Sequence, residues 1–138
     1  MPMWQIYHHE DVFTNEEKLE MSQLITGLYP FLPRFYVNVH FHDLSKDSFY
    51  NGGEVTKDLV SIQVDHVARQ MIDDETQKRF VQKCKDAVEP IIKRHNLRWE
   101  FYIDQTPTEL WLVDGLVPPD PDSDAEKKWK RENRATPY

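Results

Sequence analysis

Cysteine is almost missing from this sequence. Cys84 is the only one among 138 residues, so an intramolecular disulfide is impossible and the cross-linked framework of small secreted domains is excluded. Glycine is scarce as well: of the four, two stand together as Gly52-Gly53, which concentrates backbone freedom in one turn. Basic residues fall short of acidic ones, 17 against 24, for a formal net charge of -7. That balance leaves no electrostatic footprint for nucleic acid or an anionic membrane surface, and neither partner is expected. No segment comes near the roughly 18 consecutive apolar residues of a membrane span, and the first residues lack the basic-then-apolar layout of a signal peptide. The expectation is a cytoplasmic protein, and the length suits a single domain over residues 1–138.

What is present begins at the second residue. In "MPMWQIYHHE" the side chains alternate, Met3, Gln5 and Tyr7 on one side and Trp4, Ile6 and His8 on the other, which predicts a half-buried strand starting at or next to Pro2. Proline is tolerable there because a missing N–H costs little where the ladder has not begun. Thr14 followed by Glu17 forms a capping-box pattern ahead of Met21, Leu24, Ile25 and Leu28, and Gly27 and Pro30 end that helix near Tyr29. "RFYVNVHFHD" alternates again, with Phe35, Val37, Val39 and Phe41 facing one way and Tyr36, Asn38, His40 and His42 the other, so a second strand is predicted.

Asn51-Gly52-Gly53 reads as a turn feeding a third strand over residues 58–65. A long helix is predicted from Asp74, apolar at Phe80, Val81, Cys84, Ala87, Val88, Ile91 and Ile92, with Pro90 kinking its last turn. "RWEFYID" gives a fourth strand. Two consecutive β-α-β units result, an α/β (α+β) arrangement with a four-stranded sheet and both helices on one face. The core spans residues 2–118. A C-terminal tail over 119–138 carries a short helix capped by Ser123 and Glu126, and its last residues are expected to fray.

Pro2, the doubled β-α-β order, the "VNVHF...FYNGG" stretch and Tyr102 five residues before Pro107 together resemble the tautomerase superfamily, in particular its fused branch containing cis-3-chloroacrylic acid dehalogenase. The resemblance implies that Pro2, freed by removal of Met1, is the catalytic group, that Arg69 binds a substrate carboxylate, and that Tyr102 is the tyrosine that handles water in hydrolytic members. It further implies no cofactor, a small carboxylate substrate and a homotrimer in which the apolar segment around Trp111 embraces a neighbouring subunit. The sequence departs from the family pattern at three places. A second arginine would fall at Ile72, the histidine near the end of the first helix falls on Tyr29, and the tail glutamate falls on Val113, beside Asp114. Trp111, Tyr29 and Asp114 therefore join Arg69 as candidate substrate-binding residues.

The chemistry of such a site is simple. A terminal amine titrates near pH 7.7 to 8.0, and an apolar pocket disfavours its protonated form, so a neutral base is available at neutral pH. Trp4, Phe41, Phe101 and Trp111 are the candidate apolar walls. Keto-enol tautomerisation of a 2-hydroxy-alkenoate needs that base and a cationic group for the carboxylate. Hydration or dehalogenation of unsaturated acids needs in addition a carboxylate or tyrosinate that activates water, for which Tyr102 and Asp114 are the candidates. Two other readings stand beside these. A non-catalytic binding module could keep the fold without the site, and Arg69 could serve only to pair with Asp65, Asp73 or Asp74. His40 and His42, joined by His8 or His9, could hold a metal ion, although alternating polar residues on a wet sheet face explain the same pattern and no metal is expected.

Overall fold

Local signals act first. In the computed structural model, which describes residues 1–67 and 69–138, the Thr14 side chain accepts the Glu17 N–H at 3.1 Å while the Glu17 carboxylate accepts the Thr14 N–H at 3.1 Å. This reciprocal box starts helix α1 (Asn15–Gly27) between strands β1 (Pro2–His9) and β2 (Asn38–Leu44). Strands β3 (Tyr50–Asn51) and β4 (Glu54–Val55) make a small hairpin, turned by Gly52 and Gly53 at φ 62° and 85°, conformations that glycine adopts without a Cβ penalty. Strand β5 (Leu59–His66), helix α2 (Asp74–Arg94) and strand β6 (Arg98–Gln105) form the second β-α-β unit, and α3 (Asp124–Glu132) lies in the tail.

The four long strands are ordered β2-β1-β5-β6, parallel within each unit and antiparallel where β1 meets β5. Every second residue of β1 and β5 (Trp4, Ile6, Val60, Ile62, Val64) is buried and shares one core with Met21 and Ile25 of α1 and Cys84, Val88, Ile91 and Ile92 of α2. Both helices therefore cover one face, as the alternation predicts. The opposite face carries Gln5, Tyr7, His42 and Tyr102. On it Tyr7 stacks on His42 at 4.4 Å between ring centres, and His42 Nε2 lies 2.6 Å from Gln5 Oε1.

Two expectations are corrected, and the three-histidine alternative does not form. Residues Arg34–Tyr36 are a single 3-10 turn, with the Val37 N–H donating to Arg34 O at 3.1 Å, so β2 starts only at Asn38. The turn carries Tyr36 into the interior against Phe35, Trp111 and Trp129. The end of the chain does not fray. Trp129 is fully buried, its indole donates to Thr136 O at 2.6 Å, and the Tyr138 hydroxyl donates to Val117 O at 3.0 Å. Burial of an indole stabilises by about 3 kcal/mol or more, enough to hold a short helix that has little stability alone. Finally, His8 points into the helix-covered side while His40 and His42 belong to β2 residues with Gln5 on the open face, so the three do not converge. No cluster of three potential metal ligands forms among the described residues, and no described helix is long and apolar enough to cross a membrane.

Candidate active site

Four chain segments meet at one end of the sheet. Met3 pairs with Asn38, Pro2 with His66, and His66 with Gln105, and the Thr106 N–H donates to His66 O, so the start of β1, the start of β2 and the ends of β5 and β6 are neighbours. The Val67 N–H donates to Met1 O at 2.9 Å, which makes Pro2 and His66 a pair without mutual hydrogen bonds. In such a pair the residue's own N–H points away from the partner strand, and pairing to β2 begins only at Met3. Proline therefore fits here because no ladder bond needs its missing hydrogen.

The surroundings are apolar and aromatic. His66 is buried, with its ring 5.8 Å from those of both Tyr29 and Phe80, and Tyr29 Oη accepts the Trp4 indole N–H at 3.1 Å. Burial pulls the Met1 ammonium from 8.0 down to about 4. Burial, with a smaller contribution from the nearby terminal charge, takes His66 from 6.5 down to about 4. Burial raises the Tyr29 phenol, so it stays protonated.

Beside this end of the sheet lies a cavity of about 690 Å³, lined among others by Tyr36, Arg69, Pro107, Trp111, Pro119 and Glu126. The Arg69 guanidinium rests over the Phe31 ring at 5.1 Å, and its Nη2 donates to Glu126 at 3.0 Å and to Asp122 at 3.3 Å. Glu126, itself buried, also accepts the Asp122 N–H at 2.6 Å. Arg69 thus pairs with the tail helix and not with Asp65, Asp73 or Asp74.

The remaining candidates fall in different places. Tyr29 stands beside His66, close to Pro2 but outside the cavity lining. Trp111 is 8% exposed and packs edge-on to Tyr36 at 4.7 Å as a wall of its own chain's cavity, while Leu110 and Leu112 on either side of it are exposed. Asp114, at φ 50°, occupies the exposed turn closed by Val113 and Leu116, away from the cavity lining. Tyr102 is 49% exposed and registers with Gln63, three positions from the Pro2–His66 pair, so one chain does not bring it to Pro2. Pro2 itself is buried and absent from the cavity lining while Met1 is attached. Of the expected apolar walls only Trp111 lines the cavity. Trp4 lies beneath Tyr29, Phe101 packs on Trp4 at 5.6 Å, and Phe41 is near His8. His66, Tyr36 and Glu126 were not singled out by sequence. His66 falls one residue beyond the third strand as read from sequence, and only the antiparallel pairing of β1 with β5 sets it opposite Pro2.

The chain belongs to the family described as "Putative oxalocrotonate tautomerase enzyme", whose model matches residues 1–134. It is similar to RhCC from Rhodococcus jostii, with 42% identity over 99% of both chains and a TM-score of 0.94. It also resembles a probable enzyme from the thermophilic fungus Aspergillus fumigatus, with 36% identity over 100% of this chain and 98% of that one, at a TM-score of 0.95. N1, a member of the cis-3-chloroacrylic acid dehalogenase family, shares the fold at 16% identity and a TM-score of 0.71, over 95% and 97% of the two chains. No curated protein matches the sequence.

Proposed function

We propose that this protein is a cofactor-free tautomerase in which Pro2, once Met1 is removed, is the general base acting on small 2-oxo or 2-hydroxy-alkenoic acids. The observation that carries the reading is Pro2 itself, buried as the first residue of β1 opposite the buried His66, at a chain end where burial lowers the Met1 ammonium. The Pro2 nitrogen is one residue further in, and an apolar setting favours the neutral form of an amine freed there. The neutral amine takes the enol O–H proton, and the resulting prolinium delivers a proton to the neighbouring carbon as the C=O bond forms. Arg69 holds the substrate carboxylate. Assembly is as a homotrimer, with neighbouring copies covering the open sheet face that bears Tyr7, His42 and Tyr102.

Water addition to unsaturated acids is the weaker alternative. Glu126 is the buried carboxylate in the cavity, and its bonds to Arg69 and the Asp122 N–H already engage it. The test is phenylenolpyruvate tautomerase activity on protein whose intact mass confirms loss of Met1. Pro2→Ala should lower that activity by about a hundredfold or more, the scale of a lost general base. A processed wild type as inert as the variant would refute the reading.

A further inference from the structure

Among the described residues six buried side-chain polar atoms have no hydrogen-bond partner, and three of them, Tyr36 Oη, His66 Nδ1 and Arg69 Nε, belong to the segments that meet at the Pro2 end of the sheet. Buried groups of this kind cost free energy unless something pairs with them, so a local concentration marks a place built for a ligand. Tyr36 and Arg69 also line the same cavity and have Glu126 as a common neighbour.

We propose that Tyr36 Oη and Arg69 Nε are the two donors that hold the substrate carboxylate. The proposal rests on the tautomerase reading and names the residue that does the work of the absent second arginine, whose place is taken by the exposed Ile72. Met1 extends β1 past the Pro2–His66 pair, with its carbonyl accepting the Val67 N–H two residues before Arg69.

The second donor matters because Arg69 is not a free cation. Glu126 and Asp122 take its Nη2, and Glu109 and Asp120 also line the cavity, so net charge offers an anion little. A directed phenol O–H restores selectivity without adding charge, and burial together with the Glu126 charge keeps that phenol protonated.

The experiment measures binding apart from catalysis. In Met1-free protein carrying Pro2→Ala, the unreactive carboxylate 3-phenylpropionate is titrated while tryptophan emission is followed, since Trp111 packs on Tyr36. Adding Tyr36→Phe should weaken binding about tenfold or more, because a lost hydrogen bond to a charged group is worth that much. The same change should leave Tm unchanged or raise it, since it deletes an unpaired buried hydroxyl and keeps the ring. In the active enzyme KM should rise with kcat nearly unchanged. Tyr36-dependent binding without Pro2-dependent turnover would uphold this site and reject the tautomerase reading. Binding within twofold of the parent, a lowered Tm as the sole effect, or no binding at millimolar probe would overturn the proposal.

Discussion

Arg69, three residues beyond the end of β5, and Glu126, in the first turn of α3, are joined at 3.0 Å and tie the tail to the sheet end that carries Pro2. The carboxylate is almost fully buried and its second bond, to the Asp122 N–H, closes the loop before the helix. Breaking such a pair leaves a charge with no partner, which costs more than the pair itself contributes.

Glu126→Ala is therefore expected to lower unfolding stability by about 2–4 kcal/mol. Urea unfolding followed through tryptophan emission checks this, because Trp129 on the same helix reports whether α3 stays docked. A loss below about 0.5 kcal/mol would show that the pair is a surface contact of little weight.

Stability should fall on acidification through His66. Its folded pKa, about 4, lies below the ordinary 6.5, so the unfolded chain binds more protons between those values. The stability associated with keeping His66 neutral is fully present above pH 6.5 and is lost as pH drops toward 4. In denaturation midpoints measured across that window, His66→Phe should flatten the slope relative to wild type. An unchanged slope would mean that other groups carry the acid sensitivity.

The amine at Pro2 should be chemically addressable only after processing. A 3-halopropiolate, which can acylate an amino-terminal proline in this family, is expected to add mass to the Met1-free chain and to leave unmodified a chain with an uncleaved amino-terminal extension. Peptide mapping should place the adduct on Pro2. Equal labelling of both forms would point to another nucleophile and remove the support that labelling lends to the proline mechanism.

Much of the fold was legible because its signals are local. Thr14 and Glu17 are three residues apart and satisfy each other whatever the rest of the chain does. The alternation of β1 survived intact, and of the apolar stripe of α2 Cys84, Val88, Ile91 and Ile92 are buried while Val81 is exposed, since only the residues facing the sheet are covered. The second strand was read three residues too early. Tyr36 keeps the period of two in sequence, but the 3-10 turn rotates it inward, where Trp111 and Trp129 give its ring more burial than a sheet edge would. Asp114 shows the converse. Its nearness to the family's tail position put it forward, and its left-handed turn conformation points to a structural job.

By itself the sequence determined the two β-α-β units, the covered and open faces of the sheet, and the presence of a proline able to become a terminal amine. Each of these depends on neighbours within one turn or one strand. Tertiary structure alone decided which groups stand around that proline. Pro2 meets His66 because the two units pair antiparallel through β1 and β5, and Tyr36, Arg69 and Glu126 share a cavity although Arg69 and Glu126 are 57 positions apart. Contacts at such separations depend on strand order and packing, to which no local pattern of residue types is sensitive.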